Sequence, residues 1–410
     1  AKYYDDQDSV YKYMALIVRP GYEYPKLALL GEEKEILSFK PKNDVKELYE
    51  LVWQPMDSLL EGVATIYYSP AGVLNNISFG ALCSRQTSKD TTSIADNNRG
   101  VVFENTAVTM ECEYLMDRYE LHQLTTTRYL ADSTLDKGRT MNTSIALSGG
   151  INYDIIPSAS TENKEEDNTE YIFAMNLQKQ QQIQNEDGKR SSKNTTKMIY
   201  LEGTKKEVDQ VAALFKNKNW SLSAYTDTKA EEGKFKEEVE QNKAGIVHIA
   251  THGFAFPDVK KNKRQQLMGM EEISYRASED PMVRCGLMLS GSNVSWTGNP
   301  QKMIKETGED GILTAAEVSN MDLSNTKLVV LSACETGLGK IEGSEGTFGL
   351  KRGFKLAGVE QMIVSLWKVD DEKTMKLMTL FYTDLAQSLN PVKSFQKAQK
   401  QMRETYPTRP

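Results

Sequence analysis

Histidine and cysteine are scarce in this chain, and their scarcity makes each one weighable. There are three histidines in 410 residues, His122, His248 and His252, and four cysteines, Cys83, Cys112, Cys285 and Cys334. No metal-ligand spacing links the cysteines, and so few in so long a chain build no disulfide scaffold. They read as separate residues of a reducing, cytosolic protein. No apolar run approaches the roughly 20 residues of a membrane span, and no signal peptide is visible. Basic clusters are also lacking. The net charge is −7 and the pI about 5.4, and the one basic run, Lys260 to Arg264, reads as a solvated loop, so direct nucleic-acid and membrane binding are not expected. The loop glycines 337, 339, 343, 346, 349 and 353 form neither GxxxxGK[ST] nor GxGxxG, which removes the phosphate-loop reading. No 20–50-residue repeat is present, so no solenoid is expected within the chain.

What is present is enough for a core. Hydrophobic residues make up 39% of the chain and charged residues 26%, and the length predicts two domains or one with large insertions. Ser158 to Thr196 is dominated by Ser, Thr, Asn, Gln, Lys and Glu, a composition that buries too little apolar area to order itself. The division is therefore an N-terminal subdomain over 1–157, a mobile insertion over 158–197 and a C-terminal subdomain over 198–410. In the first part, Lys12 to Ser38 reads as a hairpin around Pro20-Gly21, and Asp44 to Leu60 as a helix that Pro55 can kink. Ala64 to Tyr68 and Val73 to Ile77 read as extended, and Gln86 to Gly100 as polar loop. Arg118 to Leu130 supplies a further strand and helix, and Ser144 to Tyr153 a strand. After the insertion, strand and helix alternate: Met198 to Leu201, Trp220 to Tyr225, Gly245 to Phe254, Gly286 to Ser290, Lys327 to Leu331 and Gln361 to Trp367 as strands, with helices between and two amphipathic helices, Asp371 to Leu389 and Val392 to Thr405, at the end. This predicts an α/β fold with a mostly parallel sheet flanked by helices.

Two strand ends carry chemistry. KLVVLSACETG, Lys327 to Gly337, is an apolar run that stops at small residues just before Cys334. GIVHIATHGF, Gly245 to Phe254, ends in His252 and Gly253. In open α/β sheets, ligands bind outside the carboxyl ends of the strands. If these two strands are parallel neighbours, a thiol and an imidazole meet at one edge of the sheet, the pair that cysteine-based nucleophilic catalysis needs. The imidazole lowers the thiol's pKa and later protonates a leaving amine, and backbone N–H groups of Gly253 and Cys334 are candidate oxyanion donors. A strand cysteine is otherwise a small buried hydrophobe. His248, deeper among Ile246, Val247, Ile249 and Ala250, reads as a buried structural histidine, and even spacing would put it on the same face as His252. A zinc reading of HxxxH would need a helix. His122 reads as structural or solvated, and Glu335 and Glu345 as loop or helix-start residues.

These residues resemble the CHAT family, bacterial caspase-like peptidases related to separase and often joined to tetratricopeptide repeats. The resemblance rests on HIATHGF (His248–Phe254), LVVLSACETGLG (Leu328–Gly339), GSEGTFGLKRGFKLAGV (Gly343–Val359) and SLWKVDDEKT (Ser365–Thr374), with LYELVWQPM from Leu48 and YYSPAGVLNNISFGAL from Tyr67 upstream. It implies a caspase-like sheet preceded by a degenerate, protease-like α/β subdomain, a catalytic dyad of His252 and Cys334, and no cofactor or metal. It also implies that Ser332, two residues before the cysteine, lines the substrate pocket. Trp367, Asp370 and Asp371 join it as pocket candidates. Relatives that cut after Arg or Lys often hold an acid at the position of Ser332, so a neutral or apolar P1 residue stays open. The expected activity is cleavage of a specific protein partner in a signalling or defence pathway, with a regulatory repeat or sensor region missing from this chain, which starts at Ala1 and stops at Pro410. A catalytically silent binding module and another thiol enzyme, such as an acyltransferase, remain the alternatives.

Overall fold

The computed structural model describes residues 1–6, 8–40, 43–95, 102–124, 127–130, 141–157, 197–216, 218–256, 275, 278–332, 345–366 and 370–406. The first part opens with β1 (Lys2–Asp5), β2 (Val10–Ile17) and β3 (Lys26–Glu32), an antiparallel sheet in the order β1-β2-β3. Helices α1 (Glu33–Ser38) and α2 (Val45–Val52) follow. Pro55 does break the helix predicted to Leu60: the chain restarts as a tight 3-10 helix, Gln54–Leu59, with Pro near its start. Proline lacks the N–H that a continuing helix needs. Strands β4 (Thr65–Tyr68) and β7 (Glu120–Gln123) pair in parallel, and helix α3 (Leu115–Arg118) precedes β7. Tyr13, Leu48, Val52, Trp53, Ile77, Leu82 and Leu115 belong to one buried cluster drawn entirely from this first part.

Three expectations fail here, each for a physical reason. Val73 to Ile77 is not extended; Gly72–Asn76 forms a 3-10 turn. Gly72 takes a positive φ of 53°, and the Asn75 side chain donates to the carbonyl of Gly72 at 3.1 Å, so a local hydrogen bond outcompetes a strand. Gln86 to Gly100 is not a loop throughout: β5 (Cys83–Ala95) pairs with β6 (Val102–Tyr114) as a long antiparallel hairpin. A two-stranded hairpin is held by its ladder, so it does not need the apolar alternation on which strand reading depends. Finally, Cys83 and Cys112 are not in unrelated contexts. The hairpin brings them together from 29 residues apart, and they form a disulfide.

The second part is built around a five-stranded, all-parallel sheet of order β15-β14-β10-β8-β9. Its members are β8 (Ser144–Ile151), β9 (Ser221–Asp227), β10 (Ile246–Ile249), β14 (Leu328–Leu331) and β15 (Gln361–Val364). Every residue of β8, β10 and β14 is buried, as expected of strands covered on both faces. β8, which precedes the insertion in sequence, thus runs inside this sheet, between β10 and β9. The helices are α4 (Glu202–Lys216), α5 (Glu232–Gln241), α6 (Ser292–Trp296), α7 (Pro300–Thr307), α8 (Ala315–Val318), α9 (Glu345–Leu356), α10 (Asp371–Ser388) and α11 (Pro391–Thr405). Alternation along the strands sorts them by face. Ile145, Leu147, Ile246, Leu328 and Val330 pack against Val208, Val211 and Phe215 of α4 and Phe381, Tyr382 and Leu385 of α10. Ala146, Val247, Ile249, Val329 and Leu331 face Phe235 and Val239 of α5, Val318 of α8 and Phe354 of α9.

Gly245 to Phe254 is two strands, not one. β10 stops at Ile249, and Gly253 opens β11 (Gly253–Ala255) of a separate antiparallel sheet with β12 (Cys285–Met288) and β13 (Ile312–Thr314). The even-spacing argument that put His248 and His252 on one face therefore does not apply. Met198 to Leu201 is not a strand either. The Asn293 side chain takes both ladder positions of Met198, accepting from its N–H at 2.8 Å and donating to its carbonyl at 2.9 Å. The expected insertion, 158–197, lies outside the described residues except Lys197. Among the described residues, no helix is long and apolar enough to cross a membrane.

Candidate active site

The site begins with a register. β10 and β14 are parallel neighbours, with Ile249 opposite Leu331. His252 and Cys334 each follow three residues after that pair, so the two chain exits leave the same edge of the sheet. The ladder runs one step further, with the Ser332 N–H donating to the Ile249 carbonyl at 2.9 Å. Cys334 and Trp367 lie outside the described residues.

His252 is held from several sides. Its Nε2 is 2.7 Å from the Ile199 carbonyl, which can only accept. Nε2 therefore carries the proton, and a neutral ring has its lone pair on Nδ1, the nitrogen suited to act as base. Tyr153 packs on the ring at 5.2 Å. The Tyr153 hydroxyl is 3.0 Å from Thr251 Oγ1, which donates to the Met288 carbonyl at 2.5 Å. The threonine proton is thus committed, and Tyr153 is the donor in that pair. Burial raises the Tyr153 pKa, keeping it a donor. The Met288 N–H reaches the His252 carbonyl at 2.9 Å, and Gly253 pairs with Leu287 in the next sheet. His252 is 5% exposed.

The remaining predicted residues separate. Ser332 sits at the carboxyl end of β14, 6% exposed, and its Oγ donates to Glu207 Oε2 at 3.0 Å. Asp370 is exposed and caps α10, accepting from the Lys373 N–H at 3.1 Å. Asp371 is the first residue of that helix. His248 is fully buried, as its sequence context predicts. Its Nδ1 is 3.1 Å from the Tyr382 hydroxyl, and its Nε2 is 3.1 Å from Glu207 Oε1, close but poorly aligned for a hydrogen bond. His122 is structural, 3.0 Å from Glu120 and stacked on Tyr67.

Glu207 and Tyr382 are the site neighbours that sequence reading missed. A signal for Glu207 existed: Thr204, Glu207, Val208, Val211 and Phe215 form the buried face of α4, so helical spacing puts a carboxylate in an apolar stripe. Elsewhere, Glu232, Glu309 and Glu317 come together, but Lys236 Nζ occupies their centre at 2.5, 3.2 and 3.2 Å. Burial and the Glu317 charge push the Glu232 carboxyl up.

A parallel sheet covered by helices, with a histidine and a cysteine following the ends of adjacent strands, defines a mixed α/β chain of caspase-like fold. The particular family follows from the sequence match: the model of the CHAT domain matches residues 42–409, and the chain belongs to that family. No curated protein matches the chain.

Proposed function

We propose that this chain is a cysteine endopeptidase in which Cys334 is the nucleophile and His252 the general base. The observation that carries the proposal is the β10/β14 register, which sends both chain exits out of one sheet edge. His252 takes the thiol proton, and the thiolate attacks the peptide carbonyl carbon. Backbone N–H groups of Gly253 and Cys334 stabilise the oxyanion. The C–N bond then breaks as the imidazolium protonates the departing amine, and water hydrolyses the thioester. The substrate is a specific protein partner in a bacterial signalling or defence pathway. Ser332 contributes to the pocket, with Trp367, Asp370 and Asp371 as further candidates, and a regulatory repeat or sensor region acts on the domain. The enclosed state of His252 supports a site that opens when a partner or ligand binds. Cytoplasmic residence belongs to the same proposal. The Cys83–Cys112 disulfide is the observation that stands against it, since reducing compartments keep such pairs open.

A peptidyl acyloxymethyl ketone supplies the test. Labelling of Cys334 in the parent, lost in His252→Ala with an unchanged circular-dichroism spectrum, supports the dyad. Equal labelling of parent and His252→Ala contradicts it.

A further inference from the structure

Beneath the two strands that lead to the dyad lies a buried carboxylate which that chemistry does not use. Glu207 enters from α4 and is 2% exposed. A carboxylate taken out of water costs several kcal/mol unless charge and hydrogen bonds compensate it, and a leucine at this position of the α4 stripe would avoid that cost. The hydrogen bond that compensates it comes from the exit of β14, and the carboxylate's other oxygen faces β10. Oε2 accepts from Ser332 Oγ at 3.0 Å, just past β14 and two residues before Cys334. Oε1 stands 3.1 Å from His248 Nε2, on β10 and four residues before His252.

The hydrogen-bond directions are consistent along the line. Burial and the Glu207 charge raise the Tyr382 pKa well above its ordinary value, so its hydroxyl keeps its proton and can donate to His248 Nδ1. With Nδ1 accepting from that hydroxyl, the ring N–H is on Nε2, which faces Glu207 Oε1 at 3.1 Å. At the other oxygen the Ser332 hydroxyl is the donor. Tyr382, His248, Glu207 and Ser332 thus form a line from α10, across β10 and α4, to the exit of β14.

We propose that Glu207 is a positioning residue for the thiol/imidazole site: its side chain ties the exit of β14 through the Ser332 hydrogen bond and packs against His248 in the body of β10, and so sets how the segments bearing Cys334 and His252 stand relative to each other. The inference rests on the dyad reading. It also gives Ser332 a definite state, with its proton turned down to Glu207 and only lone pairs left to offer a substrate.

The test reads Cys334 itself rather than a substrate. The full chain is alkylated with iodoacetamide across a pH series, and the rate at Cys334 is resolved by mass spectrometry. An imidazole-assisted thiol reacts well below the ordinary thiol pKa, and His252→Ala removes that acid-side reactivity, about tenfold or more near pH 6.5. Glu207→Gln replaces one carboxylate oxygen by an amide NH₂, so either Ser332 or His248 loses the oxygen it faces and the clamp weakens. Ser332→Ala removes one arm of it. Each is expected to slow Cys334 by about three- to tenfold near pH 6.5 and to shift the profile toward that of a plain thiol, while Ser332→Thr, which keeps the hydroxyl, restores the parent profile. If Glu207→Gln does not fold, the Ser332 pair decides. Profiles of Glu207→Gln and Ser332→Ala that superpose on the parent overturn the positioning role while leaving the dyad standing. An unchanged profile in His252→Ala overturns the dyad, and the role of Glu207 with it.

Discussion

Replacing Gly353 by alanine sets two effects of known size against each other. Gly353 lies in the interior of α9, where alanine is favoured over glycine by about 0.8–1 kcal/mol. Its new methyl group, however, would fall 2.6 Å from the Ala315 carbonyl oxygen and 3.3 Å from the Ala315 carbonyl carbon and Cα. Those atoms are backbone, so no rotamer change relieves the clash; α9 must lift from α8. Overpacking of that kind costs about 1–3 kcal/mol, which leaves a net loss of about 1 kcal/mol. The control is the same substitution at Gly233 in α5, where the methyl meets Glu309 Cγ at 3.4 Å, ordinary contact. There the helix preference acts with little opposition, and a gain of about 0.5 kcal/mol is expected near the helix start. Urea denaturation with unchanged slopes measures both. The refuting result is a Gly353→Ala chain as stable as the parent or more so, since the α8/α9 approach would then not be as close as described.

Other consequences concern titration and burial. Burial pushes the Cys285 thiol up to about 12, so in the folded chain iodoacetamide near pH 8 should leave it unmodified and react with it only after unfolding; native modification at a rate like that of Cys334 would contradict this. Burial pushes the Lys351 ammonium down to about 8 from 10.5. Below pH 8 both states are protonated and the folded state bears the full desolvation cost. Between 8 and 10.5 the unfolded state binds more protons, so stability rises with pH, by at most about 3 kcal/mol. Lys351→Met should flatten that rise in pH-dependent denaturation, and a parent-like slope would contradict it. Tyr382→Phe leaves the buried His248 Nδ1 without its hydroxyl partner and should cost about 1–3 kcal/mol by urea denaturation; a neutral result would show that the hydrogen bond does not form.

The parallel sheet was legible because IVHI, LVVL and SIALSGGI are short runs of mostly apolar or small residues, as strands buried on both faces tend to be, with His248 the polar exception in β10. The end of β14 at Leu331 was legible for the same reason, since that apolar run stops abruptly at Ser332. Elements held by other means were not. The β5/β6 hairpin rests on a backbone ladder with QTSKDTTS in one strand, and Met198 is held by the side chain of Asn293 from far along the chain. The break at Ala250 to His252, where the chain leaves one sheet for another, has no signature in a sequence that stays apolar into Phe254. Glu207 was hidden among Lys205, Lys206 and Asp209, so a charged string masked the one carboxylate that turns inward. Cys83 and Cys112 became partners only once the hairpin register was known.

The central claim, that Cys334 and His252 form a peptide-cleaving dyad, is tested most directly by comparing new protein N-termini across a bacterial proteome exposed to the parent chain, Cys334→Ala and His252→Ala. The account predicts a small set of termini that appear with the parent and are missing from both variants, while the variants keep the parent's unfolding midpoint. The same termini produced at the same rate by Cys334→Ala would contradict it.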